Sequence, residues 1–426
     1  MKSYFKALSG AVAALICSAG VMAAASTESD ADALRLEGAA SESAGLAQTG
    51  PRLFIEGSVG NASQRYLPDS QNIRRVTLDF SFNARLNDRL RFVFSDRIDN
   101  LYPRPAGSDS TVNSLREAYV TWQSPERDTI LEAGRINMRY GVAYGYNPTD
   151  FFRDGSLRTL TTANPFALRD NRLGTAMLRV QRLWEGGSLS VAYSPKLASS
   201  PSRDGWSLDL GSTNNRDRLL VNLGTQFSPS FNTQWMVYKD SGESAALGAS
   251  MTALVSDAAT LHGEWTYGKE RSLLARSASL PLAKSAENRL AAGFTYTTLG
   301  KLSFTAEYQY NGFGLAKRDW NNLAQVAPMG QIAYLVEAQR LQELAPRSAF
   351  LLYMSQKDIG IKDLDLTAFV RVNALDNSKL MWFELRRHWT KFDLAFQFQQ
   401  HVGRPGSEFG ILPDRRVWQV LGTYYY

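Results

Sequence analysis

The side chains best suited to acid–base chemistry are three histidines, His262, His388 and His401. His262 and Glu264 are two residues apart, so on a strand they share one face and could act as a base and its orienting partner. A serine from a neighbouring strand could similarly assist His401. However, no serine or carboxylate cluster has an informative spacing, and a histidine satisfied by local hydrogen bonds is the commoner case. The sequence therefore predicts no catalytic residue and no enzyme activity.

Metal and cofactor chemistry also lacks its usual ligands. Three scattered histidines do not have the spacing of a metal site. The only cysteine, Cys17, lies in an N-terminal segment that we expect to be removed, so the mature chain should contain none. No glycine-rich phosphate loop and no nucleic-acid-binding signature is present. We therefore predict no metal, no cofactor and no nucleic-acid partner.

Charged side chains are more informative, because they recur on the polar face of alternating segments. Inside a channel, they would attract or reject ions, and arginine favours anions. Carboxylates such as Glu264 and Glu307 share this face, so many charges could instead form ion pairs that brace a wall. The small excess of arginine favours a mild anion preference. The candidate cations are Arg75, Arg85, Arg91, Arg97, Arg179, Arg289 and Arg371.

The segment from Met138 to Asn171 lacks alternation and is the best candidate for a functional loop. Loops of this length are usually functional or disordered. Phe151, Phe152 and Phe166 would let it fold inward against a wall and narrow a channel, whereas the alternative is a solvated external loop. Its candidate constriction residues are Asp150, Arg153, Asp154, Arg158, Arg169 and Asp170.

A second long loop, 313–345, contains a predicted helix. Within Ile332–Leu344, the apolar residues form an incomplete amphipathic stripe. We expect this short helix either to cap the pore from outside or to stand clear of it.

Strands must position these candidates, because side chains on a strand alternate with a period of two. In Arg75–Leu86, apolar residues at even positions oppose polar residues at odd positions. Lys301–Asn311 and Phe392–His401 repeat the pattern, and a helical period of 3.6 fits none of the three. Pattern and length are typical of strands that cross a membrane within a barrel.

About 18 such segments follow one another, although 16 are possible. The joints between them alternate in length, and the even-numbered ones are tight turns such as Asn87-Asp88 and Ser256-Asp257. Outer-membrane barrels have short periplasmic turns, long external loops and an even strand number. The sequence therefore predicts an all-β fold, a transmembrane antiparallel up-and-down β-barrel with both termini in the periplasm.

The N-terminal residues indicate export. Lys2 and Lys6 precede an apolar stretch, Ala7–Met22, that is followed by small residues, as in a secretory signal peptide. We assign residues 1–25 to the signal, 26–50 to a flexible periplasmic lead-in and 51–426 to a single barrel. The expected location is the outer membrane of a Gram-negative bacterium.

Two stretches resemble known outer-membrane proteins. Trp418–Tyr426 alternates and ends on an aromatic residue, which resembles the closing strand of a bacterial outer-membrane barrel. Ala133–Gly141 and Gly145–Asp150 contain Gly-Arg and then Asn-Pro-x-Asp. They resemble a motif of large proteobacterial barrels, including uncharacterised families and relatives of the alginate exporters. The resemblance implies a porin-like barrel that passes solutes or exports a polymer.

The predicted function is passive passage of small polar solutes, with anions favoured. Export of an anionic polymer such as a polysaccharide stays open, as does a non-conducting adhesive or structural barrel. The expected partners are outer-membrane lipid and lipopolysaccharide, the barrel-assembly machinery, and the solute or polymer. The sequence does not indicate the oligomeric state.

Overall fold

The fold is described from a computed structural model of residues 50–66, 69–104, 109–280, 283–326 and 328–426. Its main elements are the strands of one 18-stranded sheet. They are β1 Gly50–Gln64, β2 Gln71–Arg85, β3 Leu90–Tyr102, β4 Thr111–Gln123, β5 Thr129–Ile136, β6 Thr175–Trp184, β7 Gly187–Ser194, β8 Arg218–Ser228, β9 Phe231–Asp240, β10 Ala246–Ser256, β11 Ala259–Glu270, β12 Ser285–Thr297, β13 Leu302–Asn311, β14 Ser348–Gln356, β15 Leu364–Asn373, β16 Lys379–His388, β17 Phe392–Val402 and β18 Asp414–Tyr425.

Each strand pairs antiparallel with its neighbours along the chain. β1 also pairs with β18, with Gly57 opposite Gly422 and Val59 opposite Val420. This pairing closes the sheet into a barrel. The predicted all-β up-and-down barrel is therefore confirmed with 18 strands, and the alternative of 16 strands is wrong.

The two faces of the wall differ as the alternation predicts. On β2, Val76 and Leu78 are exposed on the outer face, whereas Arg75, Thr77 and Asp79 are buried on the inner face. An apolar outer face and a polar interior are typical of a barrel that faces lipid outside and water inside.

The joints between strands are sorted by length. The even-numbered joints are short, and the longest of them is 357–363. The longest joints are all odd-numbered, namely 137–174, 195–217, 271–284, 312–347 and 403–413. One end of the barrel therefore carries tight turns, and the other end carries the loops that can shape the interior.

Short helices lie in these long joints. They are α1 Pro165–Asp170, α2 Leu210–Thr213, α3 Leu273–Ser277, α4 Lys317–Val326 and α5 Pro328–Leu341. The predicted bounds Ile332–Leu344 are wrong, because α5 is already helical at Pro328 and its last residue is Leu341. It ends before Gln342, whose left-handed backbone (φ 52°) stops the helix. Among the described residues, no helix is long and apolar enough to cross a membrane.

The N-terminal assignments are only partly covered by the structure. The predicted signal, 1–25, and nearly all of the predicted lead-in, 26–50, lie outside the described residues. β1 begins at Gly50, one residue before the predicted start of the barrel. The division of the chain into signal, lead-in and barrel stays a prediction.

Candidate functional site

The joint 137–174, which we name the constriction loop, runs from the end of β5 into the interior of the barrel. Its ring of Phe151 stacks on Tyr238 of β9, with centroids 4.6 Å apart. An apolar cluster fills this side of the interior, and burial of its surface holds the loop inside. The buried members of the cluster are Ile136, Met138, Tyr140, Phe152, Met177, Ala192, Leu220, Met236, Tyr238 and Ala246.

A carboxylate on the inner face of β11 anchors the loop. Glu264 is 1% exposed. Its Oε1 accepts the backbone N–H groups of Val142 (2.6 Å) and Ala143 (2.7 Å) and the side-chain amide of Asn147 (3.0 Å). Its Oε2 accepts the N–H (3.1 Å) and the hydroxyl (2.7 Å) of Thr149. Because a buried carboxylate is tolerated only when it is paired or hydrogen-bonded, Glu264 and the loop stabilise each other.

Glu307 of β13 holds the next turn of the loop. It accepts the backbone N–H groups of Tyr144 (2.7 Å) and Gly145 (3.1 Å). Nε2 of His262 lies 3.3 Å from the Glu307 carboxylate, and the His262 ring stacks on Tyr144 with centroids 5.7 Å apart. His262 thus helps to fix the loop against the wall.

The later part of the loop reaches other sides of the barrel. Phe166 of α1 packs edge-on against Tyr353 of β14, with centroids 5.6 Å apart. Arg75 of β2 donates to the carbonyl of Thr161 at 2.8 Å. Since β2, β9 and β14 are well separated around the 18-stranded ring, the loop crosses the interior and narrows it.

Two of the six predicted constriction residues are buried in ion pairs. Asp150 pairs with Arg172, and Arg153 lies 2.6 Å from Glu343 of joint 312–347. Burial lowers the pKa of the Arg172 guanidinium to about 10, and the Asp150 carboxylate opposes this shift. Both pairs brace the loops and do not face water.

Asp154 joins the constriction loop to two other long joints. Its carboxylate lies 2.8 Å from Arg216 of joint 195–217 and 3.0 Å from Arg340 of α5. Burial alone would raise the pKa of Asp154, but the two guanidinium groups hold it below its ordinary value. Asp154 therefore stays ionised and ties three loops together.

The other three predicted residues have separate surroundings. Arg158 donates to the Asn113 carbonyl of β4, at 2.6 Å. Arg169 is buried and donates to the Tyr140 carbonyl at 3.2 Å. Asp170 pairs with Arg139, and both side chains are about half exposed. Of the six predicted residues, Asp170 is the one best placed to meet a solute.

The seven arginines predicted to point inward lie on the inner face, and most of them contact carboxylates. Arg85 is exposed and lies directly opposite Arg91 on the neighbouring strand. Like charges in such positions repel each other, so this pair concentrates positive charge near the short-turn end. The contacts of the other five are Arg75–Glu56, Arg97–Asp99, Arg179–Glu132, Arg289–Glu270 and Arg371–Glu408.

Joint 312–347 docks onto the constriction loop through Glu343. The Glu343 carboxylate lies 2.6 Å from Arg153 and accepts the Tyr146 hydroxyl at 2.6 Å. Nε of Arg289 on β12 lies 3.1 Å from the same carboxylate. The joint therefore does not stand clear of the pore, and that its helix caps the pore from outside stays a prediction.

The acidic anchors are the residues that sequence reasoning missed. Alternation placed Glu264 and Glu307 on the inner face, but no local pattern shows that they bind backbone amides of a distant loop. Glu343 follows a helix and has no distinctive neighbours in the sequence. A buried aromatic run beside inward carboxylates is the only signal that could have suggested such anchors.

The other histidines are held within the wall. Nδ1 of His388 lies 3.1 Å from Asp393, and Nδ1 of His401 lies 2.6 Å from the Asp414 carbonyl. Within the described ranges, no group of three or more histidine, cysteine, aspartate or glutamate residues could hold a metal ion.

Comparisons with known proteins agree with this geometry. No protein-family model and no curated protein matches the chain. Its structure is similar to OccAB1 of Acinetobacter baumannii, with a TM-score of 0.58 and 9% identity, over 88% of this chain and 96% of that chain. It is also similar to a BenF-like porin from Pseudomonas fluorescens Pf-5 (TM-score 0.57, 10% identity, 89% and 99% covered) and to Pseudomonas aeruginosa OpdQ (0.54, 10%, 89% and 99%). The chain therefore has the fold of the proteobacterial outer-membrane porins.

Proposed function

We propose that the protein is an outer-membrane channel for the passive passage of small polar solutes. The observation that carries this proposal is the constriction loop, which crosses the polar interior of a closed barrel and narrows it. Barrels of 16–18 strands enclose an aqueous channel, and an inward loop reduces its width to the scale of small solutes. The apolar outer face supports a place in the outer membrane of a Gram-negative bacterium.

The distribution of the joints supports an orientation. An even number of antiparallel strands puts the start of β1 and the end of β18 at the same end, where Phe54 lies opposite Tyr425. The short joints are at this end too, and short joints are periplasmic in such barrels. We therefore assign both termini to the periplasmic side.

The interior favours small solutes over a polymer. The apolar cluster occupies one side of the barrel, and joint 312–347 caps the constriction loop. A polymer would need a continuous wide bore, whereas a small solute can pass beside the loop.

The charges favour anions mildly. Most inward arginines are neutralised by carboxylates at short distance, so they contribute little net field. Arg85 and Arg91 place two positive charges together, because they face each other across β2 and β3, and Arg85 is exposed to water. A local excess of positive charge on a channel wall attracts anions.

Conductance in planar lipid bilayers tests the proposal. We expect stepwise current increments in potassium chloride and a reversal potential displaced toward that of chloride under a salt gradient. A current no greater than background would refute the channel function and favour a non-conducting structural barrel. Cation selectivity would refute the anion preference alone.

The double substitution Arg85→Ala and Arg91→Ala is expected to move the reversal potential toward that of potassium. The physical reason is the loss of the exposed positive charge on the inner face. Arg89→Ala is the matched control, since Arg89 lies in the neighbouring turn and should leave the reversal potential unchanged. A shift in the control that is as large per removed charge as in the double variant would show that selectivity follows overall charge and not this pair.

A further inference from the structure

The wall of the barrel has a gap beside β4. The last pair between β4 and β5 is Ala118–Arg135, yet β4 continues from there toward the loop-bearing end. Beyond that pair, no described strand borders β4 on this side. Instead, the Gly174 N–H of the constriction loop donates to the Leu115 carbonyl at 3.3 Å, and beyond it the Asn113 N–H donates to the Gly205 carbonyl at 2.7 Å. Joint 195–217, which we name the outer loop, therefore takes the place of a strand.

Arg158 reaches from the constriction loop into this gap. Its Nη1 donates to the carbonyls of Asn113, Gly205 and Ser207, at 2.6, 3.2 and 3.0 Å. Its Nη2 donates to the Asp204 carbonyl at 2.6 Å. Irregular backbone is tolerated at membrane depth only where its polar groups are satisfied by the protein. The Arg158 guanidinium provides hydrogen-bond donors for backbone carbonyls at the upper edge of β4 and in the outer loop.

The outer loop also covers charges that face away from the interior. Ile136 belongs to the apolar cluster inside the barrel, so the adjacent Arg135 points to the outer face. On β3, Asp96 alternates with the inward-facing Arg97 and therefore also points outward. Arg135 is nevertheless buried, because the outer loop covers it and accepts its hydrogen bond through the Leu208 carbonyl. The segment of the outer loop at Leu208 consequently lies on the outer side of the wall, whereas Arg216 of the same loop reaches Asp154 of the constriction loop.

The position of Arg135 sets the depth of this contact. With the tilt of about 40° typical of such barrels and a rise of about 3.3 Å per residue, Arg135 lies about 17 Å above the short joint 124–128, within an apolar band about 25 Å tall. The next outward row of the wall contains Leu178, Tyr193 and Leu219, which are exposed and belong to that band. The outer loop therefore descends to the depth of the lipid-facing belt.

The outer loop presents apolar side chains at this place. Leu208 is 44% exposed and Trp206 is 63% exposed, although the Leu208 carbonyl bonds to the wall. Their side chains must therefore point away from the barrel. Arg203 and Asp204 are also exposed and precede them in the chain, so the loop changes from polar to apolar toward the wall contact.

We propose that the outer loop is a lipid-contacting flap that seals the gap beside β4 from the outside. Leu208 contacts acyl chains of the outer leaflet, and Trp206 lies near the headgroups, where tryptophan is favoured. The flap shields Arg135 and Asp96 from lipid and continues the apolar belt across the gap. This inference rests on the proposed membrane location.

Single-cysteine variants test the contact, because the predicted mature chain contains no cysteine. Trp206→Cys and Leu208→Cys are each labelled with bimane and reconstituted in phosphatidylcholine vesicles that contain nitroxide-labelled lipid. Leu219→Cys on β8 is the lipid-facing control, and Leu160→Cys in the constriction loop is the water-facing control. We expect nitroxide lipid to quench positions 206 and 208 as strongly as position 219, while aqueous iodide quenches mainly position 160.

The outcomes separate this inference from the proposed function. Quenching at 206 and 208 as weak as at 160, with strong quenching at 219, would overturn the flap and leave the membrane location intact. Weak lipid quenching at 219 would refute the membrane location and the flap together. If Leu208→Cys does not fold, Trp206→Cys alone decides, since its exposed side chain makes little contact with the wall.

Discussion

Replacing Glu264 with glutamine is expected to release the constriction loop from β11 and to raise the single-channel conductance. The glutamine NH2 group must face either the Val142 and Ala143 amides or the donors of Thr149, so donors would oppose donors. Hydrogen bonds to a charged group contribute about 1.5–3 kcal/mol each. A loss of about 3 kcal/mol would raise the released population on the order of 100-fold.

The conductance in planar bilayers and the hydrogen exchange of residues 141–149 measure this effect. Glu384→Gln is the matched control, because it removes the same charge from the inner face. Its contacts, with Arg386 and Gln397, lie within the wall. Equal conductance and exchange in both variants would contradict the anchoring role of Glu264.

Replacing Glu343 with alanine is expected to destabilise both loops inside the barrel. Arg153 and Arg289 would each lose a carboxylate at 2.6 and 3.1 Å, and the Tyr146 hydroxyl would lose its acceptor. Removing one partner of a buried ion pair costs about 3–5 kcal/mol, because the remaining charge stays buried. Hydrogen exchange should show residues 138–171 and 313–345 losing protection together while β1–β4 keep theirs.

Glu337→Ala provides the comparison within the same joint. Glu337 pairs with Arg340 on α5, whose side chain is 42% exposed. A partly exposed ion pair of this kind contributes about 0–1 kcal/mol. Glu343 would not stabilise both loops if Glu337→Ala lowered the free energy of unfolding as much as Glu343→Ala. The same would follow if Glu343→Ala reduced the protection of only one of the two loops.

The barrel could be predicted because its signals are local. The alternation of Val76, Leu78 and Phe80 with Thr77 and Asp79 depends only on the two-residue period of a strand. The contrast between short and long joints also appears directly along the chain. Neither the alternation nor the joint lengths depend on what packs against a strand, so both can be recognised in the sequence alone.

The constriction could be predicted only in part. Phe151, Phe152 and Phe166 indicated that the loop folds inward, because large apolar side chains need a surface to cover them. The charged residues beside them carried no such information. Asp150 and Asp170 look alike in the sequence, but one is buried against Arg172 and the other is half exposed beside Arg139.

By itself, the sequence determined the barrel and the loop able to narrow it, since these follow from periodicity and length, whereas the strand count of 18 was decided by the structure. Only the tertiary structure decided which charges brace and which face water. Glu264, Glu307 and Glu343 meet their partners across more than a hundred residues of chain. Closure of the barrel brings these distant segments together. Whether a charged side chain forms a buried pair or is exposed to water depends on the residues that then lie beside it.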